Sequence, residues 1–234
     1  RQRQMCIRDR LNCSNMKIFL DTSEVDVISK HCESGLIDGV TTNPTLMMQA
    51  GRDPIDVIKD ISALFPDDSS ISAEVVADTA EDMISQAKQY YSISSNITIK
   101  VPCTEEGLMA CKFLSDKDIP VNVTLIFSAT QAILCAKAGA KYVSPFIGRC
   151  EDNGLSGIGL IESIRTIYDR SNIGHPPEIL AASIRTTDHV TNAFIAGSDI
   201  VTLPPSILKE MYKHALTDQG IDQFDKDWKL VNHK

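Results

Sequence analysis

This chain of 234 residues lacks any apolar run approaching the ~20 residues that a helix needs to cross a bilayer. It also lacks an excess of positive charge. The net charge is −8 and the pI about 5.1, which argues against nucleic acid and anionic membrane as partners. The seven cysteines (Cys6, Cys13, Cys32, Cys103, Cys111, Cys135 and Cys150) contain no CxxC pair, and their odd number speaks against a complete disulfide framework. A reducing cytoplasm is the expected compartment. His31, His175, His189, His214 and His233 are scattered, with no HExxH run, so no metal is expected. No GxGxxG follows a first strand and no GxxxxGK[ST] occurs, which weakens a nucleotide-binding assignment.

What is present is an ordinary globular composition, 43% hydrophobic and 23% charged. Residues 1–15 differ from the rest. They hold four arginines and one aspartate with no apolar core, so they are no signal peptide. We read them as a non-native or disordered leader, place the natural start at Met16, and expect a single domain over 16–234. No linker or low-complexity tract divides it.

From Met16 onward, short β-rich runs alternate with amphipathic helical stretches. The runs are 17–21, 39–42, 71–76, 97–101, 121–126, 142–146, 178–182 and 199–203. Between them lie helical patterns over 23–33, 54–65, 80–91, 105–114, 128–138, 159–168 and 187–196. The first opens on the cap-like pair Ser23-Glu24, and Gly139 and Gly197 close two others. Strands separated by helices imply parallel pairing with right-handed crossovers. Eight such units fit a (β/α)₈ TIM barrel better than an open doubly wound sheet. Stretches 205–214 and 217–230 add a C-terminal helix, in which Ile221, Phe224 and Trp228 form one apolar stripe. That stripe fits either the protein's own barrel wall or a neighbouring subunit.

The run Ile97-Thr98-Ile99-Lys100-Val101-Pro102 places a lysine in a β-branched segment that Pro102 ends. Desolvation penalises its charge and favours the neutral amine, a nucleophile towards carbonyl carbon. Alone, the segment is better explained by a lysine snorkelling its ammonium to water. In a parallel barrel, however, chemistry sits at the carboxyl ends of the strands. Those ends carry Asp21, Thr41-Thr42-Asn43, Glu74, Lys100, Thr124, Ser144 with Arg149 beyond, and Ser183 with Arg185 beyond. Each has a plainer role open to it. Asp21-Thr22-Ser23 could cap a helix, Asn43-Pro44 could form a turn, and the arginines could be surface residues. Seven polar strand ends together point to a site.

These groups suit Schiff-base aldol chemistry. Lys100 attacks a ketose carbonyl, and the iminium accepts the electrons of the breaking carbon–carbon bond. Asp21 takes the proton from the departing hydroxyl. Glu74 with Thr124 could hold a water that shuttles protons, and the arginines would clamp a phosphate.

Four blocks carry a specific resemblance: Gly39-Val40-Thr41-Thr42-Asn43-Pro44-Thr45, Ile99-Lys100-Val101-Pro102, Ser144 to Arg149, and Ala181 to Thr186. Together they resemble the transaldolase family, closest to its small bacterial-type branch, which also holds fructose-6-phosphate aldolases. The resemblance runs from about Lys17 to Trp228. It implies Lys100 as the Schiff-base lysine, Asp21 as acid/base, and Glu74 and Thr124 around a catalytic water. It also implies Thr41, Asn43, Ser144 and Phe146 at the substrate, and Arg149, Ser183 and Arg185 at its phosphate. Sugar phosphates are the implied ligands, with no cofactor. The branch typically forms pentamer-based rings, often decamers, through the C-terminal helix, which favours the neighbouring-subunit placement of Ile221, Phe224 and Trp228.

Within the branch, aldolases typically carry glutamine and tyrosine where this chain has Glu74 and Phe146. Both positions therefore side with transaldolase. The alternatives are a fructose-6-phosphate aldolase releasing free dihydroxyacetone, and a catalytically silent barrel serving as a sugar-phosphate-binding or assembly module.

Overall fold

A computed structural model describes residues 16–231. The leader expected over residues 1–15 lies outside the described residues. Eight strands run β1 Lys17–Asp21, β2 Gly39–Thr41, β3 Ser70–Glu74, β4 Ile97–Pro102, β5 Val121–Ile126, β6 Tyr142–Pro145, β7 Glu178–Ala181 and β8 Ile200–Leu203. All neighbours pair in parallel, and β8 closes onto β1, so the fold is the (β/α)₈ barrel expected from the sequence.

Eleven helices occur among the described residues. They are α1 Val25–Cys32, α2 Pro44–Ala50, α3 Pro54–Ser62, α4 Ala80–Tyr91, α5 Glu105–Ser115, α6 Ala129–Lys137, α7 Ile147–Asp152, α8 Gly157–Arg170, α9 Thr187–Ile195, α10 Pro205–Met211 and α11 Ala215–Val231. Most begin on a side-chain cap that satisfies a free backbone N–H: Thr79, Thr104, Ser128, Ser156 and Thr186 each accept from the residue three further on. Three details differ from the sequence reading. Ser23 does not cap α1, because its hydroxyl donates instead to the Leu46 carbonyl at 2.7 Å, and Glu24 becomes the uncapped N-terminal residue. Asn43-Pro44 is more than a turn, since it opens α2. The six-residue α7 was not expected at all.

Period-2 alternation sorts each strand's residues between two cores. Ile71, Ala73, Ile97, Ile99, Val101, Val121, Val123 and Val143 join the helices in the outer core. Phe19, Tyr142, Leu180 and Ile200 plug the barrel interior in a separate cluster, with Phe19 edge-on to Tyr142. The other interior positions are polar and buried: Ser72, Thr98, Lys100, Asn122, Thr124, Ser144 and Thr202 among them. An apolar plug below and polar residues above leave one end of the barrel open to chemistry. Gly107, in the first turn of α5, is required there. A β-carbon would lie 2.0 Å from the Pro102 carbonyl oxygen, pushing the helix off the end of the strand that carries Lys100.

Helix α11 behaves differently from the rest. None of its residues is buried, and Ile221, Phe224 and Trp228 are 53%, 73% and 66% exposed. The protein's own barrel wall does not cover this stripe.

Candidate active site

The carboxyl ends of the strands open into a cavity of about 400 Å³. Lys100 lies at its floor, only 6% exposed. Register places Glu74 beside it on β3, and the Lys100 Nζ stands 3.0 Å from Glu74 Oε2. The same nitrogen donates to the Thr42 carbonyl at 3.0 Å. A buried lysine needs such partners: the β3 register supplies Glu74, and the Thr42 carbonyl reaches in from just beyond β2.

Across the floor, Thr41 Oγ1 donates to Asp21 Oδ1 at 2.8 Å. Thr202 Oγ1 lies 2.6 Å from Thr41 Oγ1. Because the Thr41 hydrogen is committed to Asp21, Thr202 is the donor in that pair. Burial pushes the Asp21 carboxyl above its ordinary value, opposed by the charge on Lys100 and by the Thr41 hydrogen bond. A carboxyl raised in this way holds a proton more readily and is the stronger base once ionised. Thr124 Oγ1 is buried with no hydrogen-bond partner among the described residues. It is therefore available to a bound molecule.

Ser144 Oγ donates to Asn122 Oδ1 at 2.7 Å, and Asn122 Nδ2 donates to Ser72 Oγ at 3.2 Å. This chain braces β3, β5 and β6 beneath the cavity. Asn43 has two tasks: its Oδ1 accepts from the Leu46 N–H to cap α2, and its side chain lines the cavity. Phe146 stacks obliquely on Phe127, with ring centres 5.7 Å apart, and carries the Arg149 guanidinium 5.0 Å above its own ring. Two residues at the rim, Leu125 and Ser183, hold left-handed backbone with φ of 59° and 57°. Such strain in non-glycine residues costs about 1–3 kcal/mol each and gathers at functional sites.

Asp21, Thr41, Asn43, Glu74, Lys100, Thr124, Ser144, Phe146, Arg149 and Ser183 thus all line one cavity. Arg185 does not. Its guanidinium forms a two-pronged ion pair with Asp152, and its chain lies across Gly148, where a β-carbon would come within 2.7 Å of Nε. The sequence reading also missed Thr202, Asn122 and Ser72. The last two sit two positions before Thr124 and Glu74, on the same face of their strands, and alternation could have flagged them. Among the described residues, no group of three or more His, Cys, Asp or Glu side chains is placed to share a metal ion.

The sequence profile of the Transaldolase/Fructose-6-phosphate aldolase family matches residues 18–234. The chain belongs to that family. A probable transaldolase of Caulobacter vibrioides is 51% identical over 213 residues, 91% of this chain and 96% of that protein. Another from a Ruegeria species is 51% identical over 219 residues, covering 94% and 99% of the two chains. A third, from Bartonella bacilliformis, is 49% identical over the same length. Among solved structures, thiamine phosphate pyrophosphorylase from Pyrococcus furiosus superposes with a TM-score of 0.56 over 82% of this chain and 86% of that one. At 14% identity that likeness concerns the barrel alone. In this member of the transaldolase/fructose-6-phosphate aldolase family, the relatives and the cavity chemistry point the same way.

Proposed function

We propose that the protein is a transaldolase, moving a dihydroxyacetone unit from a ketose phosphate to an aldose phosphate. The observation that carries this reading is Lys100, buried at the cavity floor between Glu74 and Asp21's hydrogen-bonded carboxyl. The Lys100 amine attacks the ketose carbonyl carbon, and the carbinolamine loses water to give an iminium. Asp21 takes the proton from the hydroxyl on the departing carbon of the bond to be broken. That bond's electrons move into the iminium, forming an enamine, and the aldose departs. An acceptor aldehyde enters, the enamine carbon attacks it, and Asp21 returns the proton to the new alkoxide. Hydrolysis frees Lys100. Glu74 and Thr124 face Lys100 and hold the water lost and regained.

Arg149 and Ser183 receive the phosphate at the rim, and Arg185 joins them by exchanging Asp152 for a phosphate oxygen. Donors are sedoheptulose 7-phosphate or fructose 6-phosphate, and acceptors glyceraldehyde 3-phosphate or erythrose 4-phosphate, placing the enzyme in the pentose phosphate pathway. A cytoplasmic location suits Cys32, Cys103, Cys111, Cys135 and Cys150, all free thiols. The test is a coupled assay with fructose 6-phosphate, run with and without erythrose 4-phosphate. Turnover that needs the acceptor supports transaldolase, and equal turnover without it means an aldolase.

Phe146 tests the same distinction from the other side. Its ring offers the enamine no proton, so the enamine waits for an aldehyde. Phe146→Tyr places a hydroxyl at that rim and is expected to raise acceptor-free dihydroxyacetone release several-fold, roughly the ~10-fold scale of one added hydrogen bond. Unchanged release would remove this account of the position.

The exposed stripe of α11 supports a homo-oligomer, a pentamer or decamer in which the helix packs on a neighbouring subunit. Light scattering should return a mass several times the 25.7 kDa of one chain. Phe224→Asp combined with Trp228→Asp should reduce it towards a single chain. A wild-type mass of one chain would refute the assembly.

A further inference from the structure

Two thiols lie outside this chemistry yet close to it. Cys103 follows the last residue of β4, three positions beyond Lys100, and Cys135 is on α6. Their Sγ atoms are 3.8 Å apart. Cys135 is fully buried, whereas Cys103 is partly exposed in an open, mainly apolar cleft of about 540 Å³ between α5 and α6. Lys137 and Glu105 line that cleft, where Lys112 is ion-paired with Asp116. The hydrogen bond from Cys135 holds the Cys103 thiol below its ordinary value, and the same bond, with burial, holds Cys135 above its own. A partly exposed thiol within 3.8 Å of a fully buried one is the arrangement of a reactive and a resolving cysteine.

We propose that Cys103 and Cys135 form a peroxide-reactive dithiol whose oxidation to a disulfide slows turnover at Lys100. The Cys103 thiolate attacks one oxygen of hydrogen peroxide, the O–O bond breaks, and hydroxide leaves and is protonated to water. Cys103 is then a sulfenic acid. The Cys135 sulfur attacks the Cys103 sulfur, the S–O bond breaks, and the oxygen departs as water with the Cys135 proton. Two thiols and one peroxide give one disulfide and two waters, with two electrons passing from sulfur to oxygen.

A disulfide needs sulfurs about 2.05 Å apart, so the pair must close by roughly 1.8 Å from its present separation. The Cys103 N–H donates to the Thr124 carbonyl at 2.9 Å, and its chain continues directly from β4. A backbone shift at Cys103 on closure is therefore passed to the strands that carry Lys100 and Thr124. Formation of the bond is independent of the assigned reaction, while its effect on turnover rests on the transaldolase reading.

The full-length protein is treated with hydrogen peroxide, quenched and digested without reductant. Mass spectrometry should find the Cys103 and Cys135 peptides joined, and dithiothreitol should separate them. Turnover of the same sample with fructose 6-phosphate and erythrose 4-phosphate should fall tenfold or more and recover on reduction, since ångström-scale displacement of a reacting group costs up to ~10²-fold. In Cys135→Ser the reduced activity should be unchanged, and Cys103 should stop at a sulfenic acid that dimedone captures. Absence of the joined peptides, pairing with another cysteine, or joined peptides with unchanged turnover each overturns the proposal. Should the reduced protein show no turnover at all, the transaldolase reading fails, and the mass measurement alone still decides whether the pair forms.

Discussion

Lys100→Met is expected to lower turnover with fructose 6-phosphate and erythrose 4-phosphate by on the order of 10⁴-fold or more, the scale on which losing a covalent nucleophile acts. Methionine is close to lysine in length and fills the same space, so a loss of this size reports the amine rather than the packing. The substitution does leave Glu74 without its 3.0 Å partner. Glu74 is 15% exposed at its side chain, so water relieves part of that cost. A stability loss of about 1–3 kcal/mol follows, the penalty of a polar group left without its partner. For a chain of this size that is about 2–10 °C in Tm. Circular dichroism with melting checks that the barrel persists. A folded variant retaining more than a few per cent of activity would remove Lys100 from the mechanism.

Asp21→Asn carries the second large effect. An amide cannot take the hydroxyl proton, and loss of a general base slows turnover about 10²–10⁴-fold. The proposed cleavage needs Asp21 ionised, so activity should rise with pH through its pKa. Burial has moved that pKa upward, which displaces the acidic limb of the wild-type profile above the ordinary aspartate range. Thr41→Val deletes the hydrogen bond that opposes the shift and should move the limb higher still. A neutral bond is worth ~0.5–1.5 kcal/mol, so the displacement is about one pH unit or less. A limb that stays in place or moves down would mean that another group governs it.

Stability runs in the opposite direction to activity at this residue. With a folded pKa above the unfolded one, the native state holds more protons than the unfolded chain between the two values. Ionised Asp21 therefore detracts from stability at neutral pH, and that penalty disappears as pH falls through the raised value. Asp21→Asn should melt no lower than wild type near neutrality while losing its activity. On the proposed mechanism, the base is thus held where it serves chemistry at some cost to the fold.

Much of this was legible in the sequence, for identifiable reasons. Eight strands stood out because short runs rich in apolar and β-branched residues fall between amphipathic helical stretches. Strand-end polarity located the cavity because a parallel barrel gathers all its carboxyl ends on one face. Bracing was harder to see. Asn122 sits between valines as an apparent oddity, and only cross-strand register reveals Ser144 and Ser72 as its partners. Thr202 likewise acquires meaning only when barrel closure brings β8 against β1 and Thr41 within reach. Helix α7 has six residues and no side-chain cap, too little for a periodic signal. Arg185 showed its charge but not its counterion, because Asp152 is 33 positions away. The left-handed backbone at Leu125 and Ser183 has no compositional sign, since neither residue is glycine.

The measurement closest to the central claim is borohydride trapping. The protein is incubated with fructose 6-phosphate, reduced, digested and analysed by mass spectrometry. The expected result is a dihydroxyacetone-derived adduct on the peptide containing Lys100, absent without the sugar and absent from Lys100→Met. An adduct on a different lysine, or none under conditions that support turnover, would contradict the Schiff-base role of Lys100.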